Sequence, residues 1–264
     1  MDQVTVQQVY EDLQETLKLK LLTEMPAGPI ALGAPDVHRP GMAMMGFMEN
    51  FLPHRVQVLG ESEMAYLDTL DPAGQDGAVA NLAFLEAPAI FVTRNLRVPE
   101  PVLNAARENG IPVILSTVPA EEFIRILSAF LSDAFSPRED VHGTLVDVYG
   151  VGMLITGKSG IGKSECALDL VERGHRLVAD DVVEVCRVTE GVIVGRFREV
   201  LQHNLEIRGV GVIDVQAVFG IRAIRMQKRI EVEVDLQNWR DDADYERMGL
   251  EREYKEYLGV RIPR

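Results

Sequence analysis

Gly157-Lys158-Ser159-Gly160-Ile161-Gly162-Lys163-Ser164 fits the phosphate-cradling pattern G-x-x-x-x-G-K-[ST] at every fixed position. The chemistry asks for these residue types. Glycines let successive backbone N–H groups converge on a polyphosphate, the lysine brings a positive charge to its far end, and the serine hydroxyl reaches a magnesium ion. A helix starting at the loop points the positive end of its dipole at the same anion. The stretch predicts an α/β fold in which a strand, this loop and a helix bind a nucleotide such as ATP.

The flanking residues agree. Thr144–Val148 and Gly152–Thr156 are rich in β-formers, and Tyr149-Gly150-Val151 between them reads as a tight turn, so a hairpin feeds the loop. From Ser164 to Arg173, residues Cys166, Ala167, Leu170 and Val171 recur at helical spacing, and Gly174 stands where a C-terminal glycine cap belongs. Arg176–Ala179 is a short apolar strand ending at Asp180-Asp181, and Val182–Val185 continues the extended pattern. A carboxylate delivered beside a phosphate loop holds magnesium or positions a hydroxyl. Neighbours in extended chain face opposite sides, so the two aspartates are expected to play different roles, one as a base and the other as a metal residue, in an order the pattern leaves open. The plain alternative is that both are turn residues.

Three positions further along are candidates. His142 stands at the entrance to the hairpin, either as an active-site imidazole or as an incidental loop histidine. Leu205-Glu206-Ile207-Arg208-Gly209-Val210-Gly211-Val212-Ile213-Asp214 sets a carboxylate, a guanidinium and two glycines among strand formers. That reads as a bulge or close backbone approach, or as a strand edge with solvated charges. Trp239 to Gly249 is an acidic surface loop, with Arg247 a cation near its end.

A chain of 264 residues that is 47% apolar suits two domains with real cores. The first is expected over residues 1–132 as an α/β unit, and the second over 133–264 as the phosphate-loop domain with a mixed sheet. Between them Ser136-Pro137-Arg138-Glu139-Asp140 is polar and Pro-bearing. In the first half, Arg55–Gly60, Ala89–Thr93 and Val113–Ser116 read as strands. Val4–Leu21 reads as a helix running into a short apolar segment, and Glu61–Leu70, Pro99–Asn109 and Ala120–Leu131 as helices. The alternation predicts parallel strands joined by crossover helices. His38 and His54 read as structural or exposed. A net charge of −14 argues against a nucleic-acid-binding surface. Met1-Asp2-Gln3-Val4 lacks the basic-then-apolar signal pattern, and no apolar run approaches the roughly 18 residues of a membrane span. With only Cys166 and Cys186, set without metal-ligand spacing, a soluble protein of a reducing cytoplasm is expected.

Several segments together resemble one family. V-H-G-T-L-V-D-V-Y-G-V-G-M-L-I-T-G-K-S-G-I-G-K-S, R-G-H-R-L-V-A-D-D and L-E-I-R-G-V-G-V-I-D-V are similar to the bifunctional HPr kinase/phosphorylase family of bacteria. Upstream, D-V-H-R-P-G-M-A-M-M-G-F at Asp36–Phe47 and R-V-Q-V-L-G-E-S-E at Arg55–Glu63 resemble its N-terminal domain. The resemblance implies a homohexameric, ATP- and Mg2+-dependent kinase. Its target would be a serine of HPr, the phosphocarrier of the sugar phosphotransferase system, and it would remove that phosphate with inorganic phosphate to give pyrophosphate. It also implies roles: His142 an active-site histidine, Lys163 the loop lysine, Ser164 and Glu206 magnesium residues, Asp181 the proton acceptor and donor beside Asp180, and Arg247 an active-site arginine. Family members continue past the segment matching G-V-R-I-P-R into a dephosphorylation loop and C-terminal helices. A chain terminating at Arg264 is therefore expected to bind nucleotide and to be impaired in phosphorolysis. Two other classes share the phosphate site: a kinase of a small-molecule acceptor and a nucleotide-gated regulator without catalysis.

Overall fold

The computed structural model describes residues 4–49, 51–81, 87–197, 204–239 and 253–264. Two compact units follow one another along the chain, Met1–Phe135 and Ser136–Arg264.

In the first unit, α1 (Val6–Leu17) starts at Thr5, whose side chain accepts from the Gln8 amide, and ends at Lys18 in the left-handed region. Its buried residues Val6, Val9, Leu13 and Leu17 lie three and four apart and so form one stripe. There follow β1 (Leu19–Leu21), β2 (Val37–His38), α2 (Gly41–Met44), β3 (Val56–Leu59), α3 (Glu61–Asp68), α4 (Pro72–Asn81), β4 (Ile90–Val92), α5 (Glu100–Glu108), β5 (Val113–Ser116) and α6 (Ala120–Ala134). The sheet order is β1-β5-β4-β3-β2, parallel from β2 to β5, with β1 antiparallel at one edge. Every residue of β3 and β4 is buried, as expected for strands covered on both faces. One face packs Phe91, Val58 and Ile114 against Leu13, Phe123 and Leu127; the other packs Leu59, Ile90 and Val113 against Met64, Leu67 and Val102. Helix α4 is not expected from the sequence, where Pro72, Gly74 and Gly77 lower the local propensity.

The second unit contains β6 (Arg138–His142), β7 (Thr144–Val148), β8 (Val151–Gly157), α7 (Lys163–Glu172), β9 (Arg176–Ala179), β10 (Val182–Thr189) and β11 (Val192–Arg196). After these come β12 (Asn204–Ile207), β13 (Gly211–Asp214), α8 (Val215–Phe219), β14 (Gln227–Arg229), β15 (Val232–Leu236), β16 (Tyr254–Tyr257) and β17 (Val260–Pro263). One sheet, β15-β8-β7-β9, is mixed, since β15 runs parallel to β8 while β7 is antiparallel to both β8 and β9. The other, β14-β11-β10-β6, is antiparallel throughout. Two hairpins, β12/β13 and β16/β17, complete the described strands. Tyr149 and Gly150, at φ 50° and 87°, form the turn between β7 and β8, a pair of left-handed residues suited to a tight hairpin.

The chain moves between these two sheets twice near the phosphate loop. It passes from β6 to β7 through Gly143 and from β9 to β10 through Asp180-Asp181, and the crossings are joined where the Gly143 amide donates to the Asp181 carbonyl at 3.1 Å. A Cβ on Gly143 would stand 2.7 Å from the Ile155 carbonyl oxygen, so the first crossing accepts only glycine at this spacing. Asp181 has φ 64°. The turn alternative therefore holds at Asp180-Asp181, and the two aspartates are separated by a change of backbone direction rather than by strand alternation.

Candidate functional site

Strand β8 rises through the core with Leu154 and Ile155 buried and ends at Gly157, where the loop begins. Gly157, Gly160 and Gly162 have φ of 136°, 76° and 108°, which glycine adopts at little cost. At Gly157 space adds to the requirement, since a Cβ would sit 2.6 Å from the Leu236 carbonyl oxygen on neighbouring β15. Helix α7 then begins at Lys163, and its first amides have no partner within the helix. Its buried residues Ala167 and Val171 join Val146, Ile155 and Leu177 in one cluster, which fixes the helix behind the loop. The Lys163 ammonium donates to the carbonyls of Gly157 and Lys158, at 3.3 and 3.4 Å.

Ser164 is where the two halves of the site meet. Its hydroxyl lies 2.9 and 3.1 Å from the two carboxylate oxygens of Asp180. The Thr144 hydroxyl donates to Asp180 Oδ1 at 2.5 Å. Asp180 is buried, whereas Asp181 is exposed at the rim. Two adjacent aspartates thus occupy different surroundings, one held by two hydroxyls and one facing solvent.

The hairpin β12/β13 supplies the remaining wall. Leu205 and Ile207 are buried in the same cluster as α7, and alternation along the strand turns Glu206 to the other face. Glu206 and Arg208 line a cavity of about 160 Å³ together with Gly160, Lys163, Ser164, Asp180 and Asp181. A Cβ on Gly160 would overlap the Arg208 guanidinium, so this cation rests against the phosphate loop itself. Arg208 and Thr144 belong to the site as well; the sequence marks Arg208 only as a guanidinium among strand formers, with no role assigned, and does not mark Thr144. Arg208 lies within the glycine-bearing segment, and the only signal for Thr144 is its place two residues after His142.

The oxygen donors Ser164, Asp180 and Glu206 fit a hard divalent cation. Among the described residues no group of three or more His, Cys, Asp or Glu side chains forms a closed metal cage. Magnesium commonly binds through one or two carboxylates, substrate phosphates and water, so this donor set fits it.

His142 ends β6 opposite Val182, one residue beyond Asp181. It belongs to β6 in the antiparallel sheet, not to the β7/β8 hairpin, and lines a separate cavity of about 550 Å³ with Thr156, Glu233, Asp235 and Tyr257. There the Thr156 hydroxyl donates to Glu233 at 2.6 Å, tying the C-terminal end of β8 to β15. A hydrogen bond from Gln237 and the nearby Arg264 hold the Asp235 carboxyl below its usual value, against an opposing effect of burial. Burial, followed by the negative charge of Glu233, raises the Tyr257 hydroxyl well above the ordinary tyrosine value. Arg247 lies outside the described residues.

Residues 4–131 match the family model described as HPr Serine kinase N terminus, and residues 133–264 that described as HPr Serine kinase C-terminal domain. The chain belongs to the HPr kinase/phosphorylase family. It is 43% identical over 262 residues to the HPr kinase/phosphorylase of Chlorobium phaeobacteroides, covering 98% of this chain and 77% of that one. To the HPr kinase/phosphorylase of Halalkalibacterium halodurans it is 42% identical over 253 residues, covering 96% and 82%. The HPr(Ser) kinase/phosphatase structure from Coxiella burnetii aligns with 47% of this chain and 76% of its own at 30% identity, with a TM-score of 0.44. No helix among the described residues is long and apolar enough to cross a membrane.

Proposed function

We propose that this HPr kinase/phosphorylase family member uses ATP to phosphorylate a serine of HPr and removes that phosphate with inorganic phosphate, giving pyrophosphate. The observation that carries the reading is the Ser164–Asp180 pair at 2.9 Å, set at the mouth of a complete phosphate loop with Asp181 at the rim. Family membership supports the choice of HPr over a small-molecule acceptor.

Phosphoryl transfer depends on positioning and charge neutralisation more than on covalent chemistry. The loop amides, Lys163 and Arg208 hold the β- and γ-phosphates. Ser164, Asp180 and Glu206 would hold Mg2+, which supplies further neutralisation of phosphate charge. Asp181 takes the proton of the serine hydroxyl as its oxygen bonds to the γ-phosphorus and the bond to ADP breaks. In reverse, inorganic phosphate held by the loop attacks the phosphoserine, pyrophosphate forms, and the same carboxylate returns a proton to the serine oxygen. On the family resemblance, His142 and Arg247 also take active-site roles.

The same proposal includes a homohexamer in the cytoplasm. Val210, Val212, Val218 and Ile221 are each exposed apolar side chains in the second unit, available to be covered in such an assembly.

The test compares phosphate transfer from ATP to purified HPr with transfer to small hydroxyl-bearing metabolites. Transfer to HPr at least a hundredfold more efficient supports the proposal. Equal or greater transfer to a metabolite overturns it.

A further inference from the structure

The two crossings between sheets bring Thr144 and Asp180 together from positions 36 residues apart in the chain. Thr144 is fully buried on β7, and its hydroxyl meets Asp180 Oδ1 at 2.5 Å. The same oxygen lies 3.1 Å from the Ser164 hydroxyl, and Asp180 Oδ2 lies 2.9 Å from it. Both carboxylate oxygens are therefore engaged on the side of the phosphate loop. Asp181, one residue on, has left-handed backbone and is exposed at the cavity rim, with its carbonyl held by the Gly143 amide.

We propose that Thr144 is a positioning residue: it fixes the Asp180 carboxylate against Ser164 on the magnesium side of the site and so leaves Asp181 as the carboxylate for the substrate hydroxyl. The inference deepens the proposed kinase reading and rests on it. A hydroxyl donating to a carboxylate makes a short, charge-assisted bond, roughly twice as strong as a neutral one. Asp180 stands in a turn, where the backbone alone does not determine which way its side chain points. Its two hydroxyl partners come from different elements, Thr144 from the end of one crossing and Ser164 from the first turn of α7, and together they fix the plane of the carboxylate. Without Thr144, Oδ1 keeps only the longer contact from Ser164. The carboxylate can then turn toward the crossing, where Asp181 would compete with it for the same proton and cation.

The test measures ADP affinity by calorimetry with and without Mg2+, in the full chain, for Thr144→Val and Thr144→Ser. Valine has the shape of threonine without its donor, and one lost charge-assisted bond of about 1.5–3 kcal/mol corresponds to roughly ten- to a hundredfold. Thr144→Val is expected to weaken ADP binding with Mg2+ by that factor while leaving Mg2+-free binding within about threefold. Thr144→Ser restores Mg2+-dependent binding to within about threefold. In an Asp180→Asn background, Thr144→Val should add nothing further, because the two residues act as one unit.

Equal loss with and without Mg2+ would show that Thr144 supports the loop as a whole and would overturn the proposal, as would unchanged Mg2+-dependent binding in Thr144→Val. Failure of serine to rescue also overturns it, and Thr144→Ser alone decides if the valine variant does not fold. An unaltered protein with no response of ADP binding to Mg2+ would instead refute the kinase reading on which the inference stands.

Discussion

Arg208 lays its guanidinium against Gly160, so close that a methyl group at that glycine would overlap it. The cation thus sits where a polyphosphate would press on the loop. Truncating it removes a charge-assisted, fork-shaped contact. Arg208→Ala is expected to weaken ADP binding about ten- to a hundredfold, and Arg208→Lys to recover part of the loss, since lysine keeps the charge without the fork. Calorimetric titration of ADP checks this. Wild-type affinity in Arg208→Ala would remove the residue from the phosphate site.

Lys163 satisfies its ammonium with two carbonyls of its own loop at 3.3 and 3.4 Å. Those contacts are long, one exposed and one half-buried, so losing them costs the fold little. Lys163→Ala should abolish tight ATP binding, by a hundredfold or more, while shifting the melting temperature by less than about 2 °C. A large drop in melting temperature would mean that the lysine serves the fold.

The unequal surroundings of the two aspartates predict unequal losses. Asp181→Asn should lower turnover by about 10²- to 10⁴-fold and leave nucleotide affinity within about tenfold, the pattern of a lost general base. Asp180→Asn should act first on Mg2+-dependent nucleotide binding. Steady-state kinetics beside calorimetry separates the two, and the reverse pattern would exchange their roles.

The legible part of this molecule is its local part. The phosphate loop, the β7/β8 hairpin and α7 are contiguous, and their turn glycines and apolar spacing stand in the sequence. Contacts made across the sheets are not legible. V-A-D-D-V-V reads as a strand that ends at two aspartates and then continues extended, with a turn there as the plain alternative; aspartate tolerates a left-handed φ such as the 64° of Asp181 without requiring it, and nothing local announces a passage from one sheet to the other. Thr144 reads as an ordinary strand residue, since its partner Asp180 is 36 residues distant. Glu206 and Arg208 are visible as charges among strand formers, but their common direction depends on Leu205 and Ile207 packing beneath α7. Helix α4 escapes a reading by propensity because tertiary packing of Ala78 and Val79 overrides the cost of its glycines.

Gly152 and Gly195 predict a graded effect on the second unit. A Cβ on Gly152 would overlap the backbone carbonyl of Arg229, which cannot turn aside, whereas one on Gly195 meets the side chains of Leu145, Val183 and Ile230. Gly195→Ala is expected to cost about 1–3 kcal/mol by overpacking, and Gly152→Ala more, because strands must separate. Urea unfolding of both variants tests the order; Gly152→Ala the milder of the two would contradict it.

Burial holds the His38 imidazole below its ordinary value of 6.5. The ring meets Phe51 edge-on at 5.5 Å between centroids. Below about pH 6.5 the unfolded chain binds a proton that the folded state refuses, so stability falls as pH drops through that value. Hydrogen-exchange protection of Val56–Leu59, corrected for intrinsic rates, should decline from pH 7 to pH 5.5 in the unaltered protein. The decline should be smaller in His38→Gln. An equal decline in both would assign the effect to other groups.

The most direct test of the account is to locate the phosphate that the protein transfers. After incubation with ATP, Mg2+ and HPr, peptide fragmentation mass spectrometry is expected to find the γ-phosphate on a serine of HPr, and to find almost none when Asp181→Asn replaces the unaltered enzyme. No phosphate on HPr, or phosphate on a residue other than serine, would contradict the account.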